Sequence, residues 1–257
     1  MSRKYGINVI SLWPWVIGEN GIDVAVRMAS AANFDGLQVL PLRGWTHEKL
    51  VEYSYPVISQ EKSFNNGNIF ECFVNTSKSV LGITNAEGAP RMVDWVLFGK
   101  NRELENLGGD VLYCVHDDNE AGDVYEISPK KSKEFKNSLN GDLLFNRDLC
   151  IDTRHIRGFD RRSDREIKAK NTLELLRKIP SDLIKLIHIN PIKTSSLDEE
   201  ELLFLGKDCE LIEMLKILGK KSNAPVILEL VPKINLSEGG RVSYLNLLRK
   251  AVFQYLG

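Results

Sequence analysis

The chain alternates short apolar runs with longer amphipathic stretches, and this alternation constrains its fold more than any other feature. The runs at 6–11 (GINVIS), 37–40 (LQVL), 56–60 (PVISQ), 110–116 (DVLYCVH), 123–127 (DVYEI), 148–152 (DLCID), 183–190 (LIKLIHIN) and 225–231 (PVILELV) have the length and β-branched content of strands. Most are apolar at successive positions rather than at alternate ones. Such strands are buried on both faces, as in parallel sheets whose crossover connections are helices. Helical patterns occupy 21–32, 46–53, 90–104, 129–139, 171–178, 197–218 (one long helix or two short ones) and 242–256. The region at about 61–89 is less regular and reads as a long loop, with Asn65-Asn66-Gly67-Asn68 as a turn.

No linker or low-complexity segment divides the chain, so residues 1–257 read as a single α/β domain. The economical architecture is a single (β/α)8 TIM barrel. A doubly wound open sheet is the alternative, but no G-x-G-x-x-G or phosphate-binding loop follows the first strand. With 27% charged and 43% hydrophobic residues, the chain can build a sizeable core. A net charge of −1 argues against a nucleic-acid or anionic-membrane partner. The expected partner is a small molecule, and a homo-oligomer stays open. Cys72, Cys114, Cys150 and Cys209 are scattered without C-x-x-C spacing, and read as small core residues in a reducing compartment. Met1-Ser2-Arg3-Lys4 is basic, but no signal-peptide core and no run of 18 apolar residues follows, so a cytoplasmic location is expected.

Chemistry concentrates at the C-terminal ends of the later strands, where parallel α/β folds place their sites. Alternation puts Cys150 and Asp152 on one face and Leu149 and Ile151 on the other. The same register sets His116, Glu126, His188 and Glu229 inward, two residues after Cys114, Val124, Leu186 and Ile227. Val115, Tyr125, Ile151, Ile187 and Leu228 would then face the helices. Taken alone, Asp152 reads equally well as the cap of a following helix. Three carboxylates converging inside a barrel, however, repel one another unless a cation compensates. Glu126, Asp152, His188 and Glu229 form a mainly oxygen-donor set. It suits one divalent metal ion, with Mn, Mg or Co favoured over Zn.

These residues resemble the xylose isomerase-like TIM barrels, which include sugar isomerases, ketose 3-epimerases, inosose dehydratases and, more distantly, endonuclease IV. In the epimerase branch a metal is held by Glu, Asp, His and Glu on strands five to eight. Glu126 in VYEIS, Asp152 in LCIDTRH, His188 in LIHIN and Glu229 in VILEL match that order. The resemblance implies a metal-dependent isomerase or epimerase acting on a sugar, sugar-phosphate or inositol-derived substrate. Proton transfer would occur next to a carbonyl, with Glu126 and Glu229 as acid and base. His155 of the D-x-x-H would contact substrate. His116, Trp13, Trp15 and Lys193 are further substrate-binding candidates, and Trp45 and His47 weaker ones. Lys193 stands where the epimerases usually carry an Arg, and Ile127-Ser128 replaces the E-N pattern common in the isomerases.

Two other functions fit parts of the sequence. An endonuclease IV-like phosphodiesterase would use His116 and the loop of Arg154, Arg157, Arg161, Arg162, Arg165, Lys168 and Lys170, but no D-x-H follows His188. That loop would otherwise grip a phosphate on the substrate, or be a solvated surface. A non-catalytic barrel that binds a ligand or partner is the third reading.

Overall fold

The computed structural model describes residues 2–18, 20–39, 54–55, 57–65, 68–75, 91–94, 111–115, 149–157, 172–174, 176–191, 198–231 and 236–256. Its centre is a parallel sheet. The strands are β1 (Tyr5–Asn8), β2 (Gly36–Val39), β3 (Val57–Asn65), β4 (Asn68–Asn75), β5 (Arg91–Asp94), β6 (Val111–Val115), β7 (Leu149–Asp152), β8 (Ile184–Ile189) and β9 (Val226–Leu228). They are ordered β4-β3-β2-β1-β9-β8-β7-β6-β5. Every pairing is parallel except β3 with β4. The first and last strands of the chain, β1 and β9, are therefore neighbours at the centre of the order. β4 and β5, at its two ends, approach within 8 Å at Cα.

Two sequence expectations are corrected here. The stretch expected to be irregular from residue 61 instead continues β3 to Asn65 and returns as β4, with Asn65 opposite Asn68. Asn-Gly at 66–67 has the composition of a two-residue hairpin loop, which explains why strand pairing begins there. The helix expected over 90–104 is not what residues 91–94 form: they are β5, in register with Val111–Cys114 of β6. Pairing with a neighbouring strand outweighs weak local preference in so short a segment. β6 pairs directly with β7, Tyr113 with Leu149 and Cys114 with Cys150. The strand expected at 123–127 lies outside the described residues. The expected helices at 46–53 and 129–139 lie outside the described residues.

The helices are α1 (Gly21–Ala31), α2 (Glu199–Phe204), α3 (Cys209–Lys221) and α4 (Glu238–Leu256), with further helical turns at 172–174 and 176–178. In α1, Ile22, Ala25, Met28 and Ala29 form the buried stripe of an amphipathic helix. It stops at Asn33, whose φ is 63°, with Phe34 N–H on the Ala29 carbonyl and Asn33 N–H on that of Ser30. Those two hydrogen bonds close the last turn of the helix. Residues 197–218 hold two helices rather than one long one. Gly206 turns the chain at φ 63°, and Asp198 and Asp208 cap the two N-termini.

The core lies between the sheet and this helical layer. Ile7, Leu37, Ile151, Ile187 and Leu228 are fully buried in it, together with Leu211, Leu215, Leu218, Leu245 and Leu248 from α3 and α4. Ile151, Ile187 and Leu228 thus face the helices as the alternation predicts. Cys209 is exposed at the first position of α3, contrary to the expectation that every cysteine is internal. Among the described residues no helix is long and apolar enough to cross a membrane.

Candidate functional site

β1 is expected to run to Ser11 but stops at Asn8. The Asn8 side chain accepts a hydrogen bond from Ile10 N–H at 2.9 Å, which bends the chain into a 3-10 turn at Val9–Leu12. Asn side chains compete with the sheet ladder in this way. Ser11, carried past the strand end, accepts from Leu230 N–H at 2.8 Å and so ties β1 to the end of β9.

On the next strands the side chains converge. Asp152 is the cross-strand partner of His188, and His188 of Ile227, two residues before Glu229. His188 Nδ1 lies 3.5 Å from Asp152 Oδ2 and 3.7 Å from Glu229 Oε2. One donor atom from each of the three residues falls within 4.8 Å of the others. Asp152 and His188 are buried, whereas Glu229 keeps 27% of its side chain exposed. The group therefore has a closed side and an open one. Two ligands of one ion, each about 2.1 Å from it, stand roughly 3.0–3.5 Å apart, so the contacts to His188 have the scale of a shared metal.

Charged and polar residues beneath this group hold the strand ends in place. Thr153 N–H donates to the His188 carbonyl at 2.9 Å, and Thr153 Oγ1 accepts from Asn190 N–H at 2.9 Å. The Arg157 guanidinium is buried and makes both bonds to the Asp208 carboxylate, at 2.7 and 2.9 Å. It also donates to the carbonyls of Thr153 (2.7 Å) and Asn190 (3.0 Å). One planar fork thus joins the ends of β7 and β8 to the cap of α3. Arg154 N–H donates to Asp152 Oδ1 at 2.8 Å, which fixes that carboxylate's orientation. Glu199, near Arg154 at 3.5 Å, accepts from Val231 N–H at 2.9 Å just after Glu229. On the other flank Arg241, fully buried, donates to the Ser11 carbonyl and pairs with buried Glu200. Burial lowers the Arg241 pKa, and Glu200 opposes that shift.

Of the residues singled out in the sequence, Asp152, His188 and Glu229 come together. His155 begins a 3-10 turn, His155–Arg157, immediately beyond β7. Trp13 is 46% exposed two residues after Ser11, at the same end of the sheet, whereas Trp15 packs partly buried against the core. Arg157 belongs to the internal scaffold and is no part of a solvated or phosphate-gripping loop. Glu126, His116, Lys193, Trp45 and His47 lie outside the described residues, as do Arg161, Arg162, Arg165, Lys168 and Lys170.

Sequence reading missed two amides. Asn8 and Gln38 are cross-strand partners on β1 and β2, both fully buried. Applying the alternation rule to the first two strands would have found them, because Ile7 and Leu37 face the helices and their successors face the other way.

Comparisons with known proteins add little to this geometry. No protein-family model matches the chain, and no curated protein matches it. Among solved structures, one described as "Putative aldo-keto reductase from Pseudomona aeruginosa" aligns over 96% of this chain and 89% of its own, at 11% identity and a TM-score of 0.36. A similarity of that size supports no inference about chemistry.

Proposed function

We propose that the chain is a metal-dependent isomerase or epimerase of the xylose isomerase-like kind, built on a closed barrel and acting on a sugar or sugar-like molecule. The observation that carries this reading is the convergence of Asp152, His188 and Glu229 at the C-terminal ends of three successive parallel strands. Two carboxylates beside one buried imidazole form a donor set that a cation would bind favourably. A divalent ion such as Mn²⁺, Mg²⁺ or Co²⁺ suits two carboxylates and one imidazole, and these three residues would hold it. When bound, the ion would supply electrostatic stabilisation of negative charge on substrate oxygens.

The protein's own groups do the rest. Glu229, the most open of the three, can reach a substrate and hold or release a proton next to a carbonyl. Asp152, fixed by Arg154 N–H and buried, has a positioning role. Trp13 offers an aromatic wall at the mouth, and His155 a contact beyond β7. Glu126 remains the proposed second acid–base group. The phosphodiesterase reading loses support because Arg157 is committed to Asp208.

The test is metal analysis of the purified protein, followed by incubation with ketoses and inososes in D₂O. Bound Mn²⁺ and metal-dependent deuterium incorporation are expected. A protein that cannot be loaded with Mn²⁺ would sink the enzymatic reading.

A further inference from the structure

The face that carries Glu229 also carries a buried amide that the three-residue group does not use. Ile7 pairs with Leu228, so Asn8 and Glu229 each stand one residue beyond that pair and share the face opposite the helical core. Asn8 is fully buried. Its Oδ1 is fixed by the bond from Ile10 N–H, and the reverse orientation would set donor against donor. The Nδ2 therefore points away from the 3-10 turn, and it finds no acceptor among the described residues. Capping the turn needs only an oxygen, which Ser or Asp supplies as well as Asn does. A buried amide with idle donors is a costly way to make a cap, and a site that uses those donors removes the cost.

We infer that Asn8 is a ligand-binding residue whose Nδ2 donates to an uncharged hydroxyl or carbonyl oxygen of the molecule held at Asp152, His188 and Glu229. The inference rests on the proposed function for the other end of that ligand. It makes Asn8 a specificity residue: the ligand carries one more oxygen on the side of β1 and β2, where the buried amide of Gln38 adjoins. An analogue lacking that oxygen leaves the donors unmatched and is rejected.

The experiment compares wild type with Asn8→Ser and Asn8→Thr, which both keep a neutral oxygen for the Ile10 cap and remove the amide. Mn²⁺ affinity is measured by paramagnetic resonance. Binding of D-fructose, D-xylulose, xylitol, myo-inositol and their mono-deoxy analogues is measured by calorimetry with and without Mn²⁺. Wild type should bind at least one of these, and Asn8→Ser should bind it about tenfold more weakly, the worth of one hydrogen bond. Mn²⁺ affinity should stay within about twofold, because Asn8 is not among the three residues that would hold the ion. One deoxy analogue should bind both proteins alike. Equal affinity of Asn8→Ser and wild type for every panel member overturns the inference, as does a wild type that binds none. If Mn²⁺ does not bind but a panel member does, the metal reading falls. The same Asn8→Ser comparison, made without metal, then decides the role of Asn8. Should Asn8→Ser fail to fold, Asn8→Thr, which also keeps a neutral oxygen for the cap, gives the same readout.

Discussion

Asp152 and His188 face each other across the β7–β8 ladder, with Oδ2 and Nδ1 3.5 Å apart and the next backbone amide, Thr153 N–H, bonded to the His188 carbonyl. The backbone contact fixes the side-chain contact, because neither residue can move along its strand without breaking the ladder. Asp152→Asn keeps the volume and the acceptor for Arg154 N–H but removes the charge. Mn²⁺ affinity should fall by more than about tenfold while the melting temperature changes little. Titration of Mn²⁺ into both proteins, with a thermal melt of each, checks this.

Arg157 and Asp208 make the opposite case, a buried ion pair whose work is structural. Arg157→Met leaves the Asp208 carboxylate buried without its partner, and should cost about 3–5 kcal/mol in urea unfolding. Arg157→Lys should also destabilise, because an ammonium cannot reach Thr153, Asn190 and Asp208 together as the guanidinium does.

Arg241 and Glu200 form a second pair, buried on both sides. Removing either residue alone should cost about 3–5 kcal/mol. The double variant Arg241→Met/Glu200→Leu should lose clearly less than the two single losses combined, since no charge is then stranded. A double-mutant cycle by denaturant unfolding measures the difference.

Gly219 lets α3 lie against the end of α4. A Cβ there would stand 1.9 Å from the Leu256 carbonyl oxygen, and that backbone cannot yield as a side-chain tip can. Gly219→Ala should cost about 1–3 kcal/mol despite the better helix propensity of alanine. Gly6→Ala should cost less, because the closest atom, at 2.4 Å, is the tip of the Ile227 side chain and not backbone.

Tyr55 donates its hydroxyl to the Phe34 carbonyl at 2.7 Å, and burial raises its pKa well above that of a free phenol. The folded state holds this proton more tightly than the unfolded state does. Its contribution is therefore complete below the unfolded value of about 10 and is lost as pH rises above it. Tyr55→Phe should lower stability by about 1 kcal/mol at neutral pH. It should also lose less than wild type on going to alkaline pH in pH-dependent melts. Part of the alkaline loss should remain, because burial also raises Tyr5 and Tyr255.

The convergence of Asp152, His188 and Glu229 is legible in the sequence because the rule that finds it is local. On β7, β8 and β9 the residues facing the helices are Ile151, Ile187 and Leu228, and this alternation alone sends Asp152, His188 and Glu229 to the other side. Asn8 obeys the same rule but was obscured. Its strand was expected to continue through Ser11, and a buried amide carries no charge to draw notice.

The sequence by itself determined where most strands lie, which of their faces is apolar, and that their polar residues gather at the C-terminal ends, because periodicity is written in neighbouring residues. Only the tertiary structure decided that 91–94 pairs as a strand, that β6 lies directly against β7, and that β3 folds back as an antiparallel hairpin. It alone matched Arg157 with Asp208 and Arg241 with Glu200, across separations of 51 and 41 residues. A strand's partner and a buried charge's counter-charge are set by which surfaces meet once the chain has collapsed, and local pattern does not encode that meeting.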